Sequence, residues 1–117
     1  HPKRVINCGV SEQAMVSMGA GLARAGMFPI MHTIAPFLVE RAFEQIKIDV
    51  DQQNLPVGLV GHSNGESGPT HQELDGPVLI GLCQNIRSYF PKTKEEIHGI
   101  LLRTVNVDKP WFLGMHE

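Results

Sequence analysis

Cysteine is scarce in this chain of 117 residues: Cys8 and Cys83 are the only two. They lie far apart, neither belongs to a C-x-x-C pair, and both sit in apolar segments. This pattern excludes a disulfide scaffold or a cysteine-based zinc site and reads as two buried thiols in a reducing compartment. Positive charge is not in excess either. Ten Lys and Arg stand against twelve Asp and Glu, for a net charge of −2 and a pI of about 6.3. With no basic patch, nucleic acid is not an expected partner. No apolar run approaches the length of a membrane span, and no signal peptide is visible, so no membrane partner is expected. The chain opens on His1 rather than Met, which suggests a fragment or processed piece of a larger protein. What is present is ordinary for a soluble globule: 42% apolar and 19% charged residues, enough for one domain with one core.

The apolar pattern alternates between strand and helix. Val5–Cys8 reads as a short first strand ending at Gly9. Ser11–Arg24 follows as a helix stopped by Gly26, with Met15, Met18 and Leu22 on one apolar stripe. Gly19, Ala20, Gly21 and Ala23 make another side of it very small. A mid-helix glycine costs about 1 kcal/mol relative to Ala, so this side is expected to let another backbone approach closely. Phe28–His32 reads as a strand, with His32 as a strand or core histidine, and residues 33–37 as a bend. Leu38–Gln52 is an amphipathic helix with Val39, Phe43, Ile46 and Val50 inward. Glu40, Glu44, Lys47 and Asp51 then face water, with Glu44 and Lys47 close enough to pair weakly. Val57–Val60 is a buried strand, Gly61–His71 a glycine-rich polar loop and Val78–Cys83 a short helix. Ile86–Phe90 is a strand. Thr93–Val105 is a helix opened by a Thr93/Glu96 capping box, with Ile97, Ile100, Leu101 and Val105 on its buried side. Trp111–Met115 is the closing strand. There is no internal repeat and no low-complexity tract. Strands alternating with helices through short connections define an α/β fold with a mainly parallel sheet.

Three stretches carry possible chemistry. Gly19-Ala20-Gly21 lies in mid-helix rather than at a strand-to-helix turn, and Arg24 stands where a third glycine would be needed, so it is no dinucleotide fingerprint. Gly61-His62-Ser63-Asn64-Gly65 matches the G-x-S-x-G nucleophile elbow and follows a strand. Asp75 or Asp108 and His98 or His116 would supply the order of a triad. The elbow needs a helix directly after the serine, whereas Glu66-Ser67-Gly68-Pro69 resists one. The third stretch is Gly9-Val10-Ser11-Glu12-Gln13. A glycine turn after a strand, feeding a helix, is where α/β proteins place ligands. Glu12 would stand in the first helical turn, either as a carboxylate at that crevice or only as a complement to the helix dipole, worth about 0.3–1 kcal/mol.

Two later segments complete an ordered set with it: Thr33–Gln45, ending in Arg41-Ala42-Phe43-Glu44-Gln45, and Ser67-Gly68-Pro69-Thr70-His71-Gln72. From Val5 to Met115 the chain resembles the pyrimidine-binding domain of transketolase and its thiamine diphosphate relatives, including deoxyxylulose phosphate synthase. The resemblance implies the thiamine diphosphate-binding fold, a three-layer α/β sandwich, with residues 1–117 as a single pyrimidine-binding domain. It implies thiamine diphosphate as cofactor, with Mg²⁺ or Ca²⁺ held by a diphosphate-binding domain that lies outside this sequence. That domain, in the same chain or a separate subunit, is the implied partner, in a cytoplasmic homodimer or heterotetramer. The implied activity is transfer of a two-carbon ketol unit, or a related acyloin condensation, between sugar phosphates or small aldehydes.

The resemblance also assigns residues. Glu12 matches the glutamate that hydrogen-bonds a pyrimidine ring nitrogen, and a carboxyl group in a dry cleft suits that task because burial disfavours its charged form. Gly9 belongs to the same cofactor segment. Phe37 matches the aromatic that stacks on the pyrimidine, with Leu38 as the alternative register and plain core packing as the alternative role. His71 matches a histidine that reaches the donor sugar, and a histidine suits proton exchange near neutral pH. His62 lies at or beside another family histidine. Ser67 stands where the family usually has Asp, which touches ketose specificity. The loop between Gly65 and Glu66 is about three residues shorter than the family pattern. These last two departures keep a non-catalytic, transketolase-like interaction module open as an alternative, beside the serine hydrolase built on Ser63.

Overall fold

The computed structural model describes residues 2–63, 68–72, 76–105 and 107–116. Four strands form one sheet: β1 Ile30–Ile34, β2 Gly58–Ser63, β3 Arg87–Tyr89 and β4 Trp111–His116. Their order is β1-β2-β4-β3 and every pair is parallel. The expected closing strand is therefore an inner one, seated between β2 and β3. Helix α1 is Glu12–Arg24, α3 is Gly76–Gly81 and α4 is Lys94–Thr104. Between β1 and β2 runs α2, residues 37–51. It is a regular turn at Phe43–Gln45 flanked by π-type turns at Phe37–Arg41 and Ile46–Asp51. Short 3₁₀ turns stand at Pro2–Arg4 and Pro69–His71.

Alternation along the strands sends side chains to two cores, and this makes three layers. Met31, Leu59 and Phe112 share one row of the sheet and face α1, α2 and α3, where Val16, Leu38, Val39, Ile46, Val50 and Ile80 are buried with them. Val60, Trp111 and Leu113 point the other way and pack with Ile97, Ile100 and Leu101 of α4. The Trp111 indole N–H donates to the Thr104 carbonyl at 3.1 Å, which fixes α4 against β4.

Gly19, Ala20 and Ala23 of the small side of α1 face the sheet while Gly21 is exposed, and a side chain fills the space rather than a backbone. A Cβ on Gly19 would lie 2.2 Å from the Met31 sulfur. Ala20 and Ala23 are buried beside it, whereas Met18 of the expected stripe is exposed. The helix packs on its small face because that face lets it come closest.

Four further expectations are corrected. Val5–Cys8 is not a strand: Val5 and Ile6 are 77% and 65% exposed, and no described strand pairs with them. An apolar run becomes a strand only where a neighbour can take its hydrogen bonds. Cys8 is only half-buried, while Cys83 is buried, and burial first and the Asp51 carboxylate second push its thiol up to about 11. Val105 is exposed, and Thr104 takes the buried position at the end of α4. The Thr93 hydroxyl accepts the Glu96 N–H at 3.2 Å as expected, but the Glu96 carboxylate returns to the Lys92 N–H at 2.7 Å rather than to that of Thr93.

Asp51 is also buried rather than solvated. Its two carboxylate oxygens accept the Gln84 N–H at 3.2 Å and the Asn85 N–H at 2.7 Å, and the Asn85 amide donates back to the Asp51 carbonyl at 2.8 Å. Asp51 thus ties the end of α2 to the segment leading into β3. The expected Glu44–Lys47 pair does not form. Replacing Asp51→Ala leaves two backbone amides without their charged acceptor. We expect a loss of about 2–3 kcal/mol in chemical denaturation, at the level of hydrogen bonds to charged groups; a loss below about 0.5 kcal/mol would contradict the assignment.

Candidate functional site

Because all four strands run the same way, their carboxyl ends share one edge, the edge on which α/β folds assemble ligand sites. Glu12 opens α1 and is buried, with 6% of its surface exposed. The turn before it is shaped locally. Gly9 adopts φ +66°, and its N–H donates to the Asn7 side chain at 2.9 Å. The Ser11 hydroxyl donates to the Cys8 carbonyl. This sharp turn brings the apolar arm round into the helix.

The buried carboxylate has a partner that sequence reasoning counted only as part of a motif. Arg41 Nη1 lies 2.9 Å from Glu12 Oε2. The same guanidinium carbon sits 4.0 Å from the centre of the Phe37 ring, within the range of a cation–π contact. Phe37 in turn meets the His71 ring edge-on, centroids 5.0 Å apart. The His71 Nδ1 lies 3.0 Å from the Thr70 hydroxyl. Phe37 and Arg41 stand four positions apart, a spacing that puts two side chains on one helical face, and they bound one π-type turn; such widened turns recur at functional sites. Leu38, the alternative to Phe37, is fully buried in the core and offers no surface. Glu12, Phe37 and His71, far apart in sequence, thus form one cluster with Arg41 at its centre.

His62 stands apart from that cluster. On β2 it faces the α4 side of the sheet, stacked on His32 with ring centroids 5.1 Å apart and 18° between planes. Its Nδ1 is buried without a hydrogen-bond partner among the described residues. No hydrogen bond or ring contact among the described residues joins it to Glu12, Phe37 or His71. His32 is a strand histidine, in β1, and is exposed rather than core. Its ionisation lies below the ordinary value of 6.5, chiefly because water is displaced around the ring and secondly because His62 faces it. Gly9 is exposed in the turn ahead of Glu12. Ser67, Gly65, Glu66 and Asp75 lie outside the described residues. Ser63 ends β2, and among the described residues nothing hydrogen-bonds to its hydroxyl. No group of three His, Cys, Asp or Glu among the described residues could hold a metal ion, and no described helix is long and apolar enough to cross a membrane.

The fold and cluster define a parallel α/β domain that presents a buried glutamate and an aromatic at its carboxyl edge. Residues 1–117 match the family described as transketolase, pyrimidine binding domain, and the chain belongs to that family. It is 35% identical over 118 residues to one subunit of the apulose-4-phosphate transketolase of Actinobacillus succinogenes, covering 97% of this chain and 38% of that one. An uncharacterized 33.6 kDa protein in the fasciation locus of Rhodococcoides fascians is 52% identical, with the same coverage of both chains. The 1-deoxy-D-xylulose-5-phosphate synthase of Dictyoglomus turgidum is 34% identical over 94% of this chain and 18% of its own. Among solved structures, a split gene transketolase, described as an inactive beta4 tetramer, superposes with a TM-score of 0.89 at 26% identity, over 98% of this chain and 38% of that one. The chain thus spans well under half the length of these relatives.

The histidine pair sets a pH dependence. A histidine with a lowered folded-state pKa binds fewer protons folded than unfolded, so its contribution to stability is complete above about pH 6.5 and is lost as pH falls below that. Melting temperatures between pH 7.5 and 5.5 should fall toward acid, and less steeply in His32→Gln. Equal slopes in the two proteins would refute the pair's role.

Proposed function

We propose that this chain is the pyrimidine-binding half of a thiamine diphosphate-dependent, transketolase-like enzyme. It would transfer a two-carbon ketol unit, or make an acyloin bond, between sugar phosphates or small aldehydes. One observation carries the reading: a nine-tenths-buried Glu12 has one carboxylate oxygen held by Arg41, while the other accepts no hydrogen bond among the described residues. A carboxylate oxygen left open on a largely buried residue suits a ligand that brings a ring N–H, and the half-buried Phe37 of the same cluster offers aromatic surface. The residues present therefore fit the pyrimidine end of thiamine diphosphate.

When bound, that cofactor supplies the thiazolium carbon acid and, through its own aminopyrimidine, the base that ionises it. The protein's task is to bind, orient and bias. Glu12 uses its open oxygen to hydrogen-bond the pyrimidine ring nitrogen and so favour the basic tautomer. Phe37 gives the ring an apolar neighbour. His71, one ring contact away, faces the substrate and exchanges protons with hydroxyl or carbonyl oxygens near neutral pH. Gly9 shapes the turn ahead of Glu12, and His62 and Ser67 contribute to substrate recognition. The structure leaves His62 the least direct support of these, since it pairs with His32 instead.

The domain spans residues 1–117 and supplies half of the site. A diphosphate-binding domain, on the same chain or a separate subunit, holds Mg²⁺ or Ca²⁺ and completes it in a cytoplasmic homodimer or heterotetramer. Two relatives support this division: one is named as a single subunit of a transketolase, and a solved one is a split gene product whose tetramer of beta chains is inactive. In the assembled protein, Glu12→Gln should retain thiamine diphosphate but slow proton–deuterium exchange at the thiazolium carbon by about 10²-fold or more. Exchange at the wild-type rate would defeat the reading.

A further inference from the structure

We infer that Arg41 is a positioning residue that fastens Glu12 and Phe37 into one unit and leaves a single carboxylate oxygen free for the ligand. This rests on the role proposed for Glu12 and extends it to a residue outside that reading. The ion pair between Arg41 and Glu12 falls at this cluster. Glu12 reaches the cluster from the start of α1, and Phe37 from the opposite end of Arg41's own turn.

The guanidinium makes two different kinds of contact at once. One N–H donates to Glu12 Oε2 at 2.9 Å. The flat face of the cation lies over Phe37 at 4.0 Å. The Arg41 side chain is still 38% exposed, so its other donors reach water and need no further protein acceptor. A planar cation with several donors can do both jobs; a lysine ammonium can reach the carboxylate but cannot lie flat on the ring. With Arg41 in place, the Glu12 carboxylate cannot turn freely, and the position of its open oxygen relative to Phe37 is set. Without it, a buried carboxylate loses the one partner it has among the described residues.

The test uses the protein assembled with its diphosphate-binding domain. Thiamine diphosphate with Mg²⁺ is titrated by calorimetry, and the near-ultraviolet circular dichroism of the bound cofactor is recorded. The proteins are wild type, Arg41→Ala, Arg41→Lys and Glu12→Gln, with each Arg41 variant repeated in the Glu12→Gln background. Arg41→Ala should weaken binding about ten-fold and alter the dichroic signal, and Arg41→Lys about three-fold. In the Glu12→Gln background both losses should shrink below about two-fold, because the amide no longer needs a cation. If Arg41→Ala does not assemble, Arg41→Lys reads the same coupling. Equal losses in both backgrounds would mean that Arg41 only supports the fold, and wild-type affinity and dichroism in the Arg41 variants would remove any role; either result overturns the inference while leaving Glu12 untouched. If Glu12→Gln exchanges the thiazolium proton at the wild-type rate, the cofactor role of Glu12 fails, and Arg41's with it.

Discussion

The close approach of α1 to the sheet is the constraint from which the site follows. Gly19 has no room for a Cβ against the Met31 sulfur, and Val16, Ala20 and Ala23 are buried on the same side. A larger residue at Gly19 would have to displace the Met31 side chain. The helix starts at Glu12, so its seating on the sheet carries that carboxylate into the interior instead of leaving it at a solvated helix end. The parallel sheet does the rest, since each strand delivers its following segment to the same edge. The turn after β1 brings Phe37 and Arg41, and the segment after β2 brings His71. Packing and site have one cause.

Among the described residues two acidic side chains are buried, and the contrast between them separates structure from function. Asp51 has both oxygens taken by backbone amides of Gln84 and Asn85, so its hydrogen-bonding capacity is used within the fold. Glu12 has one oxygen taken by a side chain and one that accepts no hydrogen bond among the described residues. Burial of a carboxylate is costly unless it is paired and hydrogen-bonded. A buried carboxylate compensated on one oxygen only is where a ligand has something to gain. The same comparison explains why Arg41 matters more than a surface arginine would. Isolated exposed ion pairs contribute little, but this one has a buried partner and an aromatic platform.

Much of this is legible in the amino-acid sequence. The alternation of strand and helix, the inward faces of α2 and α4, and the Thr93 cap follow from periodicity and local chemistry, which are properties of short windows. The set of Glu12, Phe37 and His71 came from motif order rather than from periodicity. What could not be read was each case in which distant parts of the chain decide the outcome. Val5–Cys8 has strand composition, but no described strand pairs with it. Met18 has the right spacing for a core stripe, yet the smaller face of α1 wins because it packs closer. Asp51 looks solvated by helical spacing and is buried because Gln84 and Asn85 come to meet it. Arg41 stood in plain view in the Arg-Ala-Phe-Glu-Gln segment, but its partner Glu12 lies on another helix. A basic residue four positions after an aromatic, a spacing that puts both on one helical face, was the one local signal.

The central claim is that Glu12 receives the pyrimidine end of thiamine diphosphate. The most direct measurement is a crystal structure of the assembled parent protein with thiamine diphosphate and Mg²⁺. The account predicts the open Glu12 oxygen within hydrogen-bond distance of a pyrimidine ring nitrogen and Phe37 in contact with that ring. A bound cofactor whose pyrimidine lies elsewhere, with both Glu12 oxygens engaged by protein groups, would contradict it.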